Sequence, residues 1–383
     1  MSFDEDLNTC VGCGLCLPHC PTFRVSGEEA LSPRGRIAIM RSIEAGTVAV
    51  DHDVAHYLNT CIQCRGCEPA CPSGVPYGRL IEHTKARLAD DSGVGRSTVP
   101  LWLRFGLRLL PRHRIVVAGS RVLAVARRAR LVPRRFDPGP IPIRNGRPLR
   151  ATSATPDVWI FTGCVMDAWQ RRTHRSTAHI VSELGTTFGV SGGACCGALH
   201  AHAGLDSRDL ARQTMLSMPG DAPILVNSAG CGAALKDYGH LLDTDASRAF
   251  SARVLDVHEW LAPRVDRLPR PAVRETVVIQ DPCHLRHVQR SHGSVRDCLA
   301  GFVEMVEIPD DGLCCGAGGA YALVQPALAR EVRSRKVAAI EAVAGRQAVV
   351  ASANPGCLQH LAAAGLDVRH PVDIIAATLG DAS

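Results

Sequence analysis

Two copies of one cysteine spacing lie within the first 72 residues, and they limit what this chain can fold into more than any other feature. Each copy reads Cys-x₂-Cys-x₂-Cys-x₃-Cys-Pro, first from Cys10 to Pro21 and then from Cys61 to Pro72. A cubane iron–sulfur cluster takes four thiolate ligands. Three cysteines at this spacing can wrap one cluster from a single tight loop, whereas the fourth, on the following turn, points away. The spacing therefore predicts two [4Fe–4S] clusters.

The fourth cysteine of each copy is expected to serve the other cluster, as it does in two-cluster ferredoxins. One predicted ligand set is Cys10, Cys13, Cys16 and Cys71, and the other is Cys61, Cys64, Cys67 and Cys20. Zinc sites more often use paired cysteines than a triplet followed by Cys-Pro. A disulfide framework is typical of short secreted chains rather than of one with 383 residues. Because iron ligation requires reduced thiolates, we expect a cytoplasmic protein.

Residues 1–90 form the first predicted domain, a helical two-cluster ferredoxin-type module. The connection between the two cysteine copies is longer than in a short ferredoxin and includes a predicted helix, Pro33 to Ala45, with Ser32 as its N-cap. Arg34 and Arg36 at the start of this helix either face a cluster or partner, or are solvated. The first ten residues lack the basic start and apolar stretch of a signal peptide. No run of eighteen apolar residues predicts a membrane span.

Residues 91–150 differ in composition and predict an Arg-rich helical linker. Ten arginines and no acidic residue lie from Arg104 to Arg135, interleaved with apolar residues. We expect two basic, partly amphipathic helices that contact an anionic membrane surface or dock on an acidic partner; the alternative is a simple Arg-rich linker. No nucleic-acid recognition motif accompanies these arginines, so nucleic-acid binding is not expected. A linker follows, marked by Pro138, Pro140, Pro142 and Pro148.

After Ala151 the pattern changes to short apolar strands that alternate with helices. The predicted strands cover Val158 to Thr162, Ile224 to Asn227, Val277 to Gln280 and Ala348 to Ala351. A cysteine follows each of them: Cys164, Cys231, Cys283 and Cys357. Open α/β sheets bind their ligands at the carboxyl ends of strands, so these positions are candidate ligands.

The second half of the chain is an internal repeat. Cys164 and Cys283 are offset by 119 residues, and so are the vicinal pairs Cys195-Cys196 and Cys314-Cys315. A repeat of this length indicates duplicated domains, here residues 151–265 and 270–383. Vicinal cysteines pair poorly with each other but suit one metal centre, so one further centre is predicted; the alternative is that these are buried structural thiols. The candidate ligands are Cys164, Cys195, Cys196, Cys231, Cys283, Cys314, Cys315 and Cys357.

Other residues near these motifs are weaker candidates. His200 and His202 follow the first vicinal pair, and His284 and His287 follow Cys283. An imidazole there is a candidate ligand of iron or zinc, or a hydrogen-bond donor to a quinone carbonyl; the alternative is an ordinary hydrogen-bonded histidine. Cys298 lies outside every motif and is expected to be an ordinary thiol.

These motifs resemble those of the iron–sulfur subunit family of glycolate oxidase (glycolate dehydrogenase). The resemblance spans nearly the whole chain. It rests on both cysteine copies and on the stretches from Cys195 to His200, Asp281 to Gln289 and Cys314 to Tyr321. The wider group includes the cysteine-rich subunit of heterodisulfide reductase, the small subunit of anaerobic glycerol-3-phosphate dehydrogenase and a lactate-utilisation iron–sulfur protein. The resemblance implies a multi-subunit complex in which an FAD-containing subunit oxidises a 2-hydroxy acid and this subunit carries the electrons onward.

One departure from the wider group bears on the further centre. In heterodisulfide reductase the cysteine-rich repeat ends in Cys-x₂-Cys and holds a non-cubane cluster with five cysteines. Ser228 and Asn354 replace the first of those two cysteines in the two repeats. Each repeat therefore offers four thiols, and we expect repeat 2 to be the holder of a further centre.

The predicted fold class is α+β overall: an N-terminal helical two-cluster ferredoxin domain followed by a duplicated α/β cysteine-rich domain. The predicted function is electron transfer from a flavin subunit towards a membrane quinone, in the cytoplasm or at the inner face of the membrane. No glycine-rich nucleotide-binding fingerprint occurs, so substrate oxidation is expected on another chain. The alternatives are a heterodisulfide or thiol reductase subunit, the corresponding subunit of a lactate or glycerol-3-phosphate dehydrogenase, and a scaffold that stores clusters.

Overall fold

The computed structural model describes residues 3–90, 99–133, 139–144 and 146–380. The helices are α1 (Phe3–Asn8), α2 (Pro21–Ser26), α3 (Pro33–Glu44), α4 (His52–Asn59), α5 (Tyr77–Asp90), α6 (Leu101–Leu109), α7 (His113–Arg128), α8 (Val165–Trp169), α9 (Arg171–Glu183), α10 (Ala198–His202), α11 (Arg208–Leu216), α12 (Ala229–Lys236), α13 (Tyr238–Leu242), α14 (Asp245–Ala252), α15 (Val257–Leu261), α16 (His292–Leu299), α17 (Tyr321–Val324), α18 (Pro326–Ala344), α19 (Pro355–Ala362) and α20 (Pro371–Thr378). The strands are β1 (Val158–Phe161), β2 (Phe188–Val190), β3 (Ile224–Val226), β4 (Val254–Asp256), β5 (Glu275–Ile279), β6 (Val303–Glu307), β7 (Val349–Ala351) and β8 (Asp367–Arg369). Short 3₁₀ turns cover Glu29–Leu31 and Ala262–Arg267, and a π-helical turn covers His284–Gln289. This mixture confirms the predicted α+β class.

The chain forms two compact units, and both are discontinuous in sequence. The first unit comprises Met1–Arg108, Ala198–Ser207 and Leu313–Lys336, and the second comprises Leu109–Gly197, Arg208–Gly312 and Val337–Ser383. Two segments of the cysteine-rich repeats are therefore part of the N-terminal unit. The linear domain boundaries inferred from composition stay predictions.

The helices of the first unit enclose an aliphatic core. Its buried side chains include Leu7, Ile37, Met40, Leu58, Leu80, Ile81 and Leu88. Burying each such side chain contributes about 1.5–3 kcal/mol before chain entropy is subtracted. Cys61 and Cys67 belong to the same cluster of buried residues, so the second cysteine loop is continuous with the helical core.

Helix α3 begins where the sequence predicts it. The Ser32 hydroxyl accepts a hydrogen bond from the Gly35 amide at 2.9 Å, and Pro33 occupies the first helical turn. A side chain at Gly35 is excluded, because its Cβ would lie 2.0 Å from the Glu29 carbonyl oxygen. This tight start fixes the two arginines that follow, Arg34 and Arg36, relative to the cysteine loops.

The two distant segments of the first unit are held by side chain to backbone hydrogen bonds. The Gln63 side-chain amide donates to the His202 carbonyl oxygen at 2.8 Å. The Arg335 guanidinium donates to the Arg24 carbonyl oxygen at 2.6 Å. Local sequence patterns do not predict long-range contacts of this kind.

The second unit contains two four-stranded sheets with the same topology. Their strand orders are β2-β1-β3-β4 and β6-β5-β7-β8, and every pairing is parallel. The duplicated strand order matches the duplication of the sequence, and the four predicted strands correspond to β1, β3, β5 and β7. One buried cluster runs through both sheets and includes Ile160, Leu225, Val277, Ile279, Val349 and Ile375. The sulfur of Cys298 is buried in this core, 3.4 Å from the His258 carbonyl oxygen, as expected for a thiol outside the motifs.

Loops of the two repeats contact each other within the second unit. The Ala229 amide donates to the Ala353 carbonyl oxygen at 3.1 Å, and the Gly230 amide donates to the Asn354 side chain at 3.1 Å. These are the loops that lead into Cys231 and Cys357. The two repeats are therefore joined at equivalent strand ends.

The predicted pair of basic helices is present as α6 and α7, while Arg134, Arg135 and Pro138 lie outside the described residues. Two contacts anchor α7: the Trp169 indole donates to Ser120 Oγ at 2.8 Å, and His113 Nε2 lies 3.0 Å from Asp167 Oδ2. Burial opposes ionisation of Asp167, but hydrogen bonds from His113 and Arg171 hold its pKa well below the usual range. None of the helices in the described ranges is both long and apolar enough to cross a membrane.

Candidate metal centres

The cysteines of the first copy line a cavity that opens to solvent. Its lining includes Cys10, Cys13, Cys16, Cys67 and Cys71. The loop turns through Gly12 and Gly14 at φ values of 72° and 85°. Glycine is favoured at position 14 by its positive φ, and a Cβ there would lie 2.8 Å from an Arg34 guanidinium nitrogen, which would have to move aside. The Arg34 guanidinium donates to the Gly12 carbonyl oxygen at 3.0 Å and holds the loop against α3.

The cysteines of the second copy line a smaller cavity, which also opens to solvent. Its lining includes Cys20, Cys61, Cys64, Cys67, Thr22, Arg36 and Tyr77. Two groups donate to Cys61 Sγ: the Gln63 amide at 3.4 Å and the Tyr77 hydroxyl at 3.6 Å. The structure thus groups Cys20 with the second copy and Cys71 with the first, which is the exchange that the spacing predicts. Ligation of iron by these groups stays a prediction.

The donor chemistry of both cavities fits cubane clusters. The lining of each cavity includes three cysteines of one loop and the fourth cysteine of the other copy, and Cys67 lines both cavities, so each offers the four thiols of its predicted set. Burial raises the pKa of Cys16 to about 11, and burial also raises the pKa of Cys20 and Cys67. Since the thiolate is the metal ligand, these thiols would lose their protons on binding iron.

A second cation besides Arg36 lies beside the Cys61 loop. The Lys85 ammonium group is buried and donates to the Cys61 carbonyl oxygen at 3.4 Å. Burial lowers the pKa of Lys85 to about 8. Sequence reasoning missed Lys85 and Tyr77, because neither belongs to a cysteine motif and both come from α5.

Four thiols of repeat 1 form a cluster at the carboxyl ends of three strands. The sulfurs of Cys164 and Cys195 lie 3.6 Å apart. Cys196 forms a hydrogen bond with Cys231. This bond raises the pKa of Cys196 and lowers the pKa of Cys231. A hydrogen bond from Ser228 also lowers the pKa of Cys231. The vicinal pair is fixed through its backbone, since the Thr214 and Tyr238 hydroxyls donate to the Cys195 and Cys196 carbonyl oxygens, each at 2.9 Å.

The thiols of repeat 2 are divided between the two units. Cys283 and Cys357 lie in the second unit, and the Cys314-Cys315 pair lies in the first. Cys283 Sγ lies 3.7 Å from His284 Nδ1, and the Asn354 amide lies 3.6 Å from Cys357 Sγ. Asn354 and Ser228 occupy the positions at which the heterodisulfide reductase pattern has a cysteine. Each of the two residues contacts the cysteine that lies three positions later, Cys357 or Cys231.

The four histidines singled out from the sequence fall into two groups. His200 and His202 lie on α10 in the first unit. His284 and His287 lie on the π-helical turn after Cys283. Burial lowers the pKa of His287, whose Nε2 lies 3.3 Å from the Gly312 carbonyl oxygen. Within the ranges that the structure describes, no group of three or more His, Cys, Asp or Glu is arranged to hold a single metal ion.

Comparison with known proteins identifies two domain families in this chain. A model of the 4Fe-4S dicluster domain family matches residues 6–75, and one of the cysteine-rich domain family matches residues 158–236 and 277–362. The glycolate oxidase iron-sulfur subunit of Escherichia coli is 34% identical, over 97% of this chain and 94% of the relative. The chain belongs to the glycolate oxidase iron–sulfur subunit family. The resemblance inferred from the motifs is therefore confirmed, and so are the predicted [4Fe–4S] clusters at the level of the dicluster domain.

Other relatives of this glycolate oxidase subunit family differ in similarity. The probable glycolate oxidase iron-sulfur subunit of Bacillus subtilis is 32% identical, over 93% of this chain and 88% of the relative. A subunit of the dihydromethanophenazine:CoB–CoM heterodisulfide reductase of Methanosarcina mazei is 27% identical, over 93% of this chain and 88% of the relative. Similarity is thus higher to the two glycolate oxidase subunits than to this heterodisulfide reductase chain.

Proposed function

We propose that this chain is the electron-transfer subunit of a glycolate (2-hydroxy acid) dehydrogenase complex, carrying electrons from an FAD-containing subunit towards a membrane quinone. One observation carries the proposal: the lining of each of two cavities in the first unit includes the four thiols of one predicted ligand set, in a chain 34% identical to a glycolate oxidase iron-sulfur subunit over nearly its whole length. Oxidation of the hydroxy acid belongs to the FAD-containing subunit.

The ligand sets that we propose are those predicted from the spacing. Cys10, Cys13, Cys16 and Cys71 hold the first cluster, and Cys20, Cys61, Cys64 and Cys67 hold the second. When bound, each cubane supplies a one-electron carrier, so the two electrons of a reduced flavin can leave singly. The chain's own contribution is to orient the thiols and to donate hydrogen bonds to sulfur from Gln63 and Tyr77.

The first cavity is our proposed side of electron exchange with the flavin partner. Cys13 is exposed, and the apolar side chains of Val11 and Leu15 on the same loop are 74% and 56% exposed. An exposed apolar rim around a cysteine loop suits a contact that brings another redox protein close. The second cysteine loop, in contrast, is continuous with the helical core.

We place the further centre in repeat 1 rather than in repeat 2. Cys164, Cys195, Cys196 and Cys231 lie within one unit and are already in thiol–thiol contact as two pairs. Four thiolates suit an iron–sulfur cluster. The four thiols of repeat 2, Cys283, Cys314, Cys315 and Cys357, are the alternative holder, and they belong partly to each of the two units.

Peripheral membrane contact through α6 and α7 completes the proposal. Leu101, Trp102 and Phe105 of α6 are exposed, and so are Val122 and Val125 of α7. Arginines flank these apolar side chains on both helices, and no acidic residue is interspersed. Each helix by itself carries the apolar and basic side chains that suit the interface of an anionic leaflet, and we propose that the complex binds at the inner face of the cytoplasmic membrane.

Reconstitution with the flavin subunit tests the electron-transfer role. The chain, purified anaerobically with its clusters, is mixed with the FAD-containing subunit and then with glycolate, while EPR follows the clusters. We expect cluster reduction only when both the flavin subunit and glycolate are present. Reduction by glycolate without the flavin subunit would overturn the division of labour. Failure of the reduced flavin subunit to reduce the clusters would overturn the electron-transfer role itself.

A further inference from the structure

A buried arginine lies against the second cysteine set. Arg36 is 1% exposed, and its guanidinium donates to the Tyr57 carbonyl oxygen at 2.8 Å and to the hydroxyls of Thr22 and Thr60 at 3.3 Å. Each of these acceptors is uncharged. Within the described part of the chain, no carboxylate forms an ion pair with Arg36. Its charge is therefore neither paired with an acid nor screened by water.

A single residue, Thr22, lies between the Arg36 guanidinium and the candidate ligand Cys20 and contacts both. Arg36 lines the same cavity as Cys20, Cys61, Cys64 and Cys67. Thr22 Oγ1 accepts from Arg36 and lies 3.2 Å from Cys20 Sγ. The hydroxyl of Thr22 also donates to the Leu31 carbonyl oxygen at 2.7 Å, which fixes its position. Arg36 is thus held in place beside the sulfurs by the start of α3 and by two threonines.

A permanent buried cation needs a nearby negative charge. Burying an unpaired charge costs several kcal/mol, and a guanidinium stays protonated in proteins. A cubane held by four thiolates is an anion, and adding one electron makes it more negative. A fixed positive charge at this position therefore stabilises the reduced state more than the oxidised state, and a low local dielectric strengthens the effect.

Beside the first cavity, the Arg41 guanidinium donates to the carbonyl oxygens of Leu7 and Cys10 at 2.7 and 2.6 Å, but Arg41 is only partly buried. No arginine among the described residues that line this first cavity is as buried as Arg36. The arginine in its lining, Arg34, is partly exposed, and its guanidinium donates to both carboxylate oxygens of Glu29, at 2.8 and 3.0 Å. The pair is close to neutral and is screened by water. The two cavities thus differ in buried charge although their cysteine spacing is the same.

We propose that Arg36 sets the reduction potential of the cluster held by Cys20, Cys61, Cys64 and Cys67, raising it so that an electron is retained there preferentially. This inference rests on the proposed electron-transfer function and deepens it. Arg36 acts through its charge and through the position that Thr22 and Thr60 give it.

An EPR-monitored redox titration of the full-length, cluster-containing protein tests this role. The Cys13→Ser variant, expected to lack the first cluster, identifies which midpoint potential belongs to the second. For Arg36→Gln we expect the one-electron reduction of the second cluster to become at least tenfold less favourable, a fall in midpoint potential of about 59 mV or more. Arg36→Lys keeps the charge and should keep the midpoint near that of the parent. Arg34→Gln is the matched control and should leave the second midpoint unchanged.

Iron and sulfide analysis separates this inference from the proposed function. Two clusters in the parent support the proposed function whatever Arg36 does. An unchanged second midpoint in Arg36→Gln, with both clusters present, overturns the inference. If Arg36→Gln loses the second cluster, the midpoint potential of the second cluster in Arg36→Lys is the deciding measurement. A midpoint equal to that of the parent supports a charge effect. A shift that corresponds to a tenfold change in the reduction equilibrium overturns the inference. Loss of the second cluster from both variants assigns Arg36 a structural role and also overturns the inference.

Discussion

The two cysteine loops adopt the same backbone conformation with different residues. In the first loop the positive φ values belong to Gly12 and Gly14, and in the second loop the equivalent positions are Gln63 and Arg65, at φ values of 60° and 58°. A non-glycine residue in this region costs on the order of 1 kcal/mol. Side-chain contacts offset that cost: Gln63 donates to the His202 carbonyl oxygen, and Arg65 pairs with Glu68 at 2.8 Å. The second loop is therefore fixed by its surroundings, and the first by its glycines.

Single ligand replacements test the assignment of the two cavities. Cys13→Ser should remove the first cubane and Cys64→Ser the second, because each replacement leaves three thiolates where four are needed. Electron flow from the flavin partner to a quinone analogue should stop in both variants. EPR and iron analysis count the clusters, and Cys298→Ser is the matched control, since this thiol lies in the core of the second unit. A Cys13→Ser or Cys64→Ser protein with two cubanes and full turnover would show that the assignment is wrong.

At the scale of the element, helix α7 exposes a strip of apolar side chains to solvent. Ile115, Val122 and Val125 are exposed, whereas Ser120 and Ala124 face inward and are buried. Arg114, Arg121 and Arg128 recur every seven residues and are all exposed, so they follow one edge of the strip. Tertiary contacts from Trp169 and Asp167 hold the opposite face, which leaves the strip available for an interface.

Replacing these three arginines should release the protein from anionic vesicles. Each basic residue near an anionic surface contributes about 1 kcal/mol, so Arg114→Gln, Arg121→Gln and Arg128→Gln together should weaken binding by about 3 kcal/mol. Sedimentation with vesicles containing phosphatidylserine measures the loss, and binding of the parent should fall as salt is raised. The matched control replaces Arg212, Arg274 and Arg346, which are exposed and paired with acids in the second unit. Equal loss in the control, or salt-insensitive binding, would count against a membrane role and in favour of docking on another subunit.

At the scale of the whole molecule, the duplication has produced two sheets of identical strand order, and the cysteines of the two repeats are assigned differently to the two compact units. In repeat 1 the sulfurs are in contact, with Cys164 and Cys195 only 3.6 Å apart. In repeat 2 the vicinal pair belongs to the first unit, while Cys283 and Cys357 belong to the second. The same sequence spacing therefore leads to different surroundings, because the segment Leu313–Lys336 packs with the helical unit.

Metal stoichiometry tests the unequal roles of the repeats. The anaerobically purified parent should contain more metal than two cubanes require, and the Cys195→Ser, Cys231→Ser double variant should lose that excess while keeping the EPR signals of the two cubanes. The Cys283→Ser, Cys357→Ser double variant is the matched control and should retain the excess. A parent with only the metal of two cubanes would exclude a further centre, and loss of the excess only from the control would move the centre to repeat 2.

The sequence by itself determined the features that depend on local spacing. The two cysteine copies indicate which thiols share a loop, Ser32 and Pro33 determine the start of α3, and the 119-residue offset reveals the duplication. Strands β2, β4, β6 and β8 escaped prediction: three of them are three residues long, and β6 lies among polar side chains.

Only the tertiary structure decided which residues surround each cavity. The residues near Cys61 include three that belong to helices outside the cysteine loops: Arg36, Tyr77 and Lys85. No periodic pattern in the sequence predicts that they lie near Cys61. The grouping of Cys314 and Cys315 with the first unit is likewise a matter of packing. The physical reason is common to these cases: a spacing fixes geometry only over a few bonds, whereas the charge and burial around a site come from contacts between distant parts of the chain.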